Sequence, residues 1–80
     1  MTEYVATFHT HLSALLTSRK LTGLGVRAQM MPVPRKLSSS CGTCVRYMAD
    51  DPHLSAMDED TEAVYEKISS DEYTLLMDAE

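Results

Sequence analysis

The sequence predicts an α+β domain of the ferredoxin-like class, with element order β-α-β-β-α-β: one antiparallel sheet with two helices on one face. Three observations predict it. Alternating apolar residues indicate short strands, apolar residues at spacings of three and four indicate helices, and turn or capping residues separate these segments. A chain of 80 residues is long enough for one modest core, so residues 1–80 are expected to form a single domain.

The first predicted strand and helix follow each other directly. Glu3–His9 alternates and is rich in aromatic and β-branched residues, which is typical of a strand. Thr10 can cap a helix that begins at His11, and Gly25 is a plausible left-handed stop. The expected buried stripe of this helix consists of Ala14, Thr17, Leu21 and Leu24.

Two further strands are expected on either side of a loop. Val26–Met31 alternates, and Pro32 and Pro34 end its pairing because proline has no N–H to donate. The loop Arg35–Ser40 then leads through a Cys-Gly pair into a third strand at Thr43–Met48.

The C-terminal part predicts a second helix and a last strand. The turn 50–53 reads Asp-Asp-Pro-His, and the acidic run 58–60 suits a helix N-terminus, where carboxylates face the positive end of the dipole. The stripe assigned to this helix consists of Met57, Thr61, Val64 and Ile68. The last strand is indicated by alternating Tyr73, Leu75 and Met77.

Charge is distributed unevenly and excludes some partners. The net charge is −5; residues 1–47 carry six basic side chains and one acidic one, whereas residues 48–80 carry eleven acidic ones and Lys67. Six cations without interleaved aromatic residues are too few to predict nucleic-acid binding.

No stretch approaches the ~18 apolar residues of a membrane span, and no secretory signal is recognisable. We therefore expect a cytoplasmic protein whose thiols stay reduced.

Residues 32–44 hold the densest potential chemistry, including both cysteines. A thiol is nucleophilic only as the thiolate, which nearby cations and backbone N–H groups favour. We take Cys41 as the candidate reactive thiol. The groups expected to stabilise an anion on it, through charge or a loop of N–H and hydroxyl donors, are Arg35, Lys36, Ser38, Ser39, Ser40, Gly42 and Arg46.

Cys44 and the histidines leave alternatives open. Cys44 is either a resolving thiol or a small buried apolar residue, and a disulfide with Cys41 requires a turn between them. His9, at the end of the first strand, can exchange a proton with the Cys41 thiol or simply be exposed. A zinc site built from His9, His11, Cys41 and Cys44 is the rival interpretation, although its spacing matches no known finger.

Several segments together resemble the small bacterial family of Se/S carrier protein-like domains. The resemblance spans Glu3 to Met77 and rests on four segments, in which 7–9 read Thr-Phe-His, 14–15 read Ala-Leu, 32–35 read Pro-Val-Pro-Arg and 38–42 read Ser-Ser-Ser-Cys-Gly. It implies a cytoplasmic domain that carries sulfur or selenium on a cysteine, matched here by Cys41. It also implies work beside cysteine desulfurases or other sulfur-relay proteins. Cys44 stands where many members are expected to have an apolar strand residue.

Together, these observations predict a sulfur or selenium carrier that holds its cargo on Cys41 as a persulfide or selenide. No acid–base pair or cofactor motif accompanies the thiol, so we expect a relay accessory without a cofactor rather than a self-sufficient enzyme. The alternatives are the zinc site and a protein-interaction module without chemistry. The acidic half offers a docking face for a basic partner, and exposed sheet edges leave homodimerisation open.

Overall fold

The computed structural model describes residues 1–78. Its elements are β1 (Thr2–Phe8), α1 (His11–Gly23), β2 (Arg27–Pro32), β3 (Thr43–Ala49), a short 3-10 helix (Leu54–Ala56), β4 (Thr61–Ser69) and β5 (Glu72–Asp78). The strands form one sheet in the order β2-β3-β1-β4-β5, and every neighbouring pair is antiparallel. Buried β1 therefore lies at the centre, with pairing partners on both sides.

The ferredoxin-like prediction with two helices is wrong. Residues 1–78 contain a single α-helix, and the segment predicted as the second helix forms β4. Its apolar residues fit helical spacing, but Thr61, Val64 and Ile68 are β-branched and lose side-chain freedom in a helix. Pairing with β1 satisfies the backbone of the central strand, which outweighs the short helical pattern.

The acidic residues before β4 make a turn instead of a helix start. Thr61 N donates to Asp58 O at 3.1 Å, and Asp60 N donates to the Asp58 carboxylate at 3.3 Å. Asp58 also accepts from the Ser13 hydroxyl at 2.8 Å, and its own N–H donates to Thr17 Oγ1 at 3.1 Å. This carboxylate therefore fixes the turn to α1, a role that local helix signals do not anticipate.

The predictions for the N-terminal elements are confirmed within one or two residues. Thr10 caps α1, since its hydroxyl accepts from Ser13 N, and Gly25 follows the helix with φ +83°. Of the predicted stripe, Ala14, Thr17 and Leu21 are buried, whereas Leu24 is exposed. The last strand also forms, as β5.

The core lies between α1 and one face of the sheet. Its buried residues are Tyr4, Ala6, Phe8, Ala14, Leu21, Val45, Tyr47, Ala49, Ala56 and Val64. Tyr4 and Tyr47 stack with their ring centroids 5.2 Å apart. Because side chains alternate along a strand, the intervening residues of β1 and β3 point to the opposite face, which we call the open face because α1 does not cover it. Val5, Thr7 and Cys44 on this face are nevertheless buried. Within residues 1–78, no helix has the length and apolar character needed to cross a bilayer.

Candidate functional site

The segment between β2 and β3, residues 33–42, is called the cysteine loop here. It crosses one end of the sheet, where β1 ends and β3 and β4 begin. Gly42 N donates to Ser39 O at 3.1 Å and closes a tight turn over residues 39–42. Gly42 has φ +73°, a left-handed conformation that glycine adopts without steric cost. Its carbonyl accepts from Val33 N at 3.1 Å, which ties the turn to the end of β2. Cys41 is thus held in a closed turn.

The Cys41 thiol lies half-buried on the helix side of the sheet. Its side chain packs against the core, and the thiol is free. Sγ lies 3.6 Å from Ser39 Oγ and 3.5 Å from the carbonyl oxygen of Thr43. The carbonyl can only accept a hydrogen bond, whereas the Ser39 hydroxyl can donate one. Ser39 is therefore the group at Cys41 that can stabilise an anion on sulfur.

Ser39 also fixes the loop to β1. Its hydroxyl donates to Phe8 O at 2.8 Å and accepts from Phe8 N at 3.3 Å, and it lies 3.1 Å from Thr43 O. A hydroxyl has one proton, so it donates to Phe8, to Thr43 or to Cys41 at any moment. Rotation of this O–H can follow a change of charge on the sulfur without movement of the backbone.

Cys44 lies in a different environment. It occupies β3, pairs with Thr7 and Met31, and therefore points to the open face, away from Cys41. Its side chain is fully buried, with Sγ 3.8 Å from Pro32 O. Burial, and secondarily the charge on Cys41, raises the pKa of Cys44 from 9.0 to about 11. Of the two roles left open by the sequence, the structure supports a buried, protonated thiol.

Within residues 1–78, none of the predicted cationic residues makes a hydrogen bond with the Cys41 thiol, whose partners are Ser39 Oγ and Thr43 O. Arg35 and Lys36 are exposed in a turn that is closed by the hydrogen bond from Leu37 N to Pro34 O. Within residues 1–78, neither of them makes an ion pair or a hydrogen bond. Arg46 lies on the open face, where Nε contacts the Glu3 carboxylate at 3.0 Å. Lys67 approaches the same carboxylate at 3.6 Å. The structure therefore does not bring Arg46 to the thiol.

Two N–H groups of the predicted anion-binding loop, those of Ser40 and Gly42, are hydrogen-bonded within the protein. Ser40 N donates to Glu62 Oε1 at 2.7 Å, and the Ser40 hydroxyl donates to Glu62 Oε2 at 3.0 Å. Gly42 N is used by the turn itself. Ser38 is exposed and lines a groove of about 330 Å³ together with Thr7, His9, Glu62, Ala63, Tyr65 and Asp78.

The histidines do not assemble a metal site with the cysteines. His9 is exposed, with Nδ1 3.7 Å from Glu62 Oε2, while His11 Nδ1 lies 3.4 Å from Thr43 Oγ1. Cys44 points to the other face of the sheet. Across the described residues, no three His, Cys, Asp or Glu side chains are grouped so that they could hold a metal ion. The geometry therefore gives the zinc interpretation no support.

Glu62 is the residue that the sequence interpretation missed. It falls within the predicted second helix and outside its apolar stripe, yet in the structure it binds the residue that precedes Cys41. The β-branched and aromatic content of 61–68 was the available signal, because a strand there lies beside the end of β1.

Comparison with known proteins agrees with the resemblance found in the sequence. A family model described as "Putative Se/S carrier protein-like" matches residues 3–70. Neither a search of curated proteins nor a search of solved structures found a match. The matched stretch includes β1 except Thr2, the whole of α1, β2, β3 and β4, and the cysteine loop. The chain therefore belongs to the Se/S carrier protein-like family.

Proposed function

We propose that the protein carries sulfur or selenium on Cys41, as a persulfide or as the corresponding S–Se species. The observation that supports this most is the position of the thiol, in a glycine-closed turn with the Ser39 hydroxyl 3.6 Å from Sγ. Membership of the Se/S carrier protein-like family supports the class of cargo. The proposal includes a cytoplasmic location, because two free thiols suit a reducing compartment.

The loading step needs no oxidant or cofactor. The Cys41 thiolate attacks the terminal sulfur of a donor persulfide, a new S–S bond forms, and the old one breaks. The donor leaves as a thiolate, so one sulfur atom has moved and the number of disulfide-type bonds is unchanged. A donor that bears selenium in the terminal position transfers it in the same way. A cysteine desulfurase, or another relay protein with a persulfide, is the partner that we propose as donor.

Ser39 stabilises the anion at both stages. The thiolate before transfer and the terminal sulfur anion after it both gain from a hydroxyl that can turn toward them. Removing one hydrogen bond to a charged group costs roughly 1.5–3 kcal/mol, which corresponds to about tenfold or more in rate. Ser39→Ala should therefore slow loading about tenfold or more, whereas Ser38→Ala, at an exposed position, should not change it.

Intact-mass spectrometry after incubation with a cysteine desulfurase and cysteine tests the proposal. Wild type and Cys44→Ser should gain one sulfur atom, and Cys41→Ser should gain none. Incubation with selenocysteine in place of cysteine should give the selenium adduct with the same dependence on Cys41. A sulfur adduct on Cys41→Ser would contradict the assignment. Failure of wild type to load, while a control acceptor is loaded in the same tube, would contradict the carrier function.

A further inference from the structure

Glu62 occupies an irregular position in the sheet. The pairing of β1 with β4 passes from Thr7 opposite Ala63 to Phe8 opposite Thr61, so that Glu62 has no opposite residue. Such a bulge redirects the side chain of the extra residue away from the regular alternation. Here the bulge lies at the end of the sheet that the cysteine loop crosses. It directs the Glu62 carboxylate to that loop.

Both oxygens of this carboxylate bind one residue. Oε1 accepts from the Ser40 backbone N–H at 2.7 Å and Oε2 from the Ser40 hydroxyl at 3.0 Å. Hydrogen bonds to an ionised carboxylate are stronger than neutral ones, and two parallel bonds also fix orientation. Ser40 is the neighbour of Cys41 and lies within the tight turn, so whatever orients Ser40 also orients Cys41.

The other hydrogen bonds of the turn hold its two ends, residues 39 and 42. Ser39 is bonded to Phe8, and Gly42 is bonded to Ser39 and Val33. Ser40 itself is exposed on the surface, where a hydrogen bond with water can replace one within the protein. The two bonds from Ser40 to Glu62 on β4 therefore hold the middle of the turn against the sheet.

We propose that Glu62 is a positioning residue for Cys41: its carboxylate clamps Ser40 and so keeps the thiol beside the Ser39 hydroxyl. Its importance for sulfur transfer rests on the proposed function. The clamp itself is a property of the fold and can be measured without any donor. His9, whose Nδ1 lies 3.7 Å from Oε2, borders the same carboxylate.

The variants Glu62→Ala and Glu62→Gln distinguish the effect of losing the two hydrogen bonds to Ser40 from the effect of losing the negative charge. Alanine removes both hydrogen bonds. Glutamine keeps them without the charge, because its Oε1 accepts from Ser40 N and its amide can donate to the Ser40 hydroxyl oxygen. Glu66→Ala is the matched control, since Glu66 is an acidic residue of the same strand and lies opposite Tyr4.

Amide exchange of Ser40 is the readout that needs no donor. Glu62→Ala should exchange this amide about tenfold faster than wild type, whereas exchange at Val45 and Tyr47 in the core should not change. Glu62→Gln and Glu66→Ala should keep Ser40 protected. Wild-type protection of Ser40 in Glu62→Ala would overturn the clamp.

Loading by a persulfide donor tests what the clamp does for transfer. Glu62→Ala should load about tenfold more slowly, because transfer requires alignment of three sulfur atoms. Alkylation of Cys41 by iodoacetamide requires less precise alignment, so its rate in Glu62→Ala should differ from the wild-type rate by no more than about twofold. Glu62→Gln should restore loading. Loading as slow in Glu62→Gln as in Glu62→Ala would contradict a positioning role. If wild type does not load at all, the proposed function fails, while Ser40 exchange still decides the clamp.

Discussion

Cys41 and Cys44 are three residues apart in the chain and lie on opposite faces of the sheet. Cys41 is in a turn at the sheet end, half-buried, with a hydroxyl and a carbonyl near Sγ. Cys44 is within β3 and fully buried, and its pKa is raised to about 11. The comparison shows that a Cys-x-x-Cys spacing does not by itself make a dithiol. The start of a strand between two cysteines is enough to separate them.

The largest expected difference is in thiol reactivity. A pKa raised from 9.0 to about 11 lowers the thiolate fraction of Cys44 about 100-fold below that of an ordinary thiol, and full burial blocks reagents further. With iodoacetamide at pH 8, Cys44→Ser should therefore be labelled at least about 100-fold faster than Cys41→Ser. In urea the two variants should react at similar rates. Comparable labelling rates for the two variants in the native state would contradict the different environments assigned to Cys41 and Cys44.

A charge placed at each position should separate the two sites by stability. Cys44→Asp buries a carboxylate without a partner and should lower the free energy of unfolding by about 3 kcal/mol or leave the chain unfolded. Cys41→Asp, in a partly exposed turn, should cost less than about 1 kcal/mol. Urea denaturation followed by circular dichroism measures both. A greater loss for Cys41→Asp would contradict the assigned environments.

Alkaline pH should reveal the buried thiol directly. The folded protein keeps Cys44 protonated up to a pKa of about 11, whereas the unfolded chain ionises near 9.0. The resulting stability is fully present below pH 9 and is lost as the pH rises through 11. Wild type should therefore lose about 3 kcal/mol more than Cys44→Ala across this window, since each pKa unit corresponds to about 1.4 kcal/mol. Tyr47 and Tyr65, whose pKa values are raised by burial, are present in both proteins, so their contribution cancels in the difference. Parallel stability curves for wild type and Cys44→Ala would refute the assignment.

The smallest predicted effect concerns the glycine between the two sites. Gly42 has φ +73°, and an added Cβ would meet no heavy atom within 4 Å, so alanine there costs only backbone strain. Gly42→Ala should lower the free energy of unfolding by about 1 kcal/mol. Gly23→Ala, at the end of α1 and equally free of crowding, should be neutral or stabilising. Thermal unfolding compares them, and equal effects would argue against strain at Gly42.

Local sequence signals were sufficient for part of the fold. The alternation in β1 and the Thr10 cap each depend on neighbours in the chain, and these elements form as predicted. Pro32 was expected to end the pairing of β2, but it is the last residue of that strand and lies opposite Thr43. β4 was wrongly predicted because its residues fit two periodicities, and the choice between them is made by β1, more than 50 residues away in sequence. Pairing across such a distance is not visible in local spacing.

The residues of the candidate site also fall into two groups: those that local sequence predicts and those that depend on strand pairing. The density of hydroxyls around Cys41 pointed to Ser39, which the structure places beside Sγ. Arg46 follows Cys41 closely in the chain but pairs with Glu3 on the other face. Glu62 was missed because its contact with Ser40 depends on the wrongly predicted β4. Proximity in sequence is a good guide within the turn and a poor one where strand alternation begins.

Competition between the two cysteines in the unaltered chain is the most direct test. Wild-type protein is loaded by a cysteine desulfurase, the persulfide is trapped by alkylation, and residues 37–46 are fragmented by mass spectrometry to locate the added sulfur. Our account predicts the added sulfur on Cys41 from the earliest time point onward. Sulfur on Cys44, or divided equally between the two thiols, would contradict it.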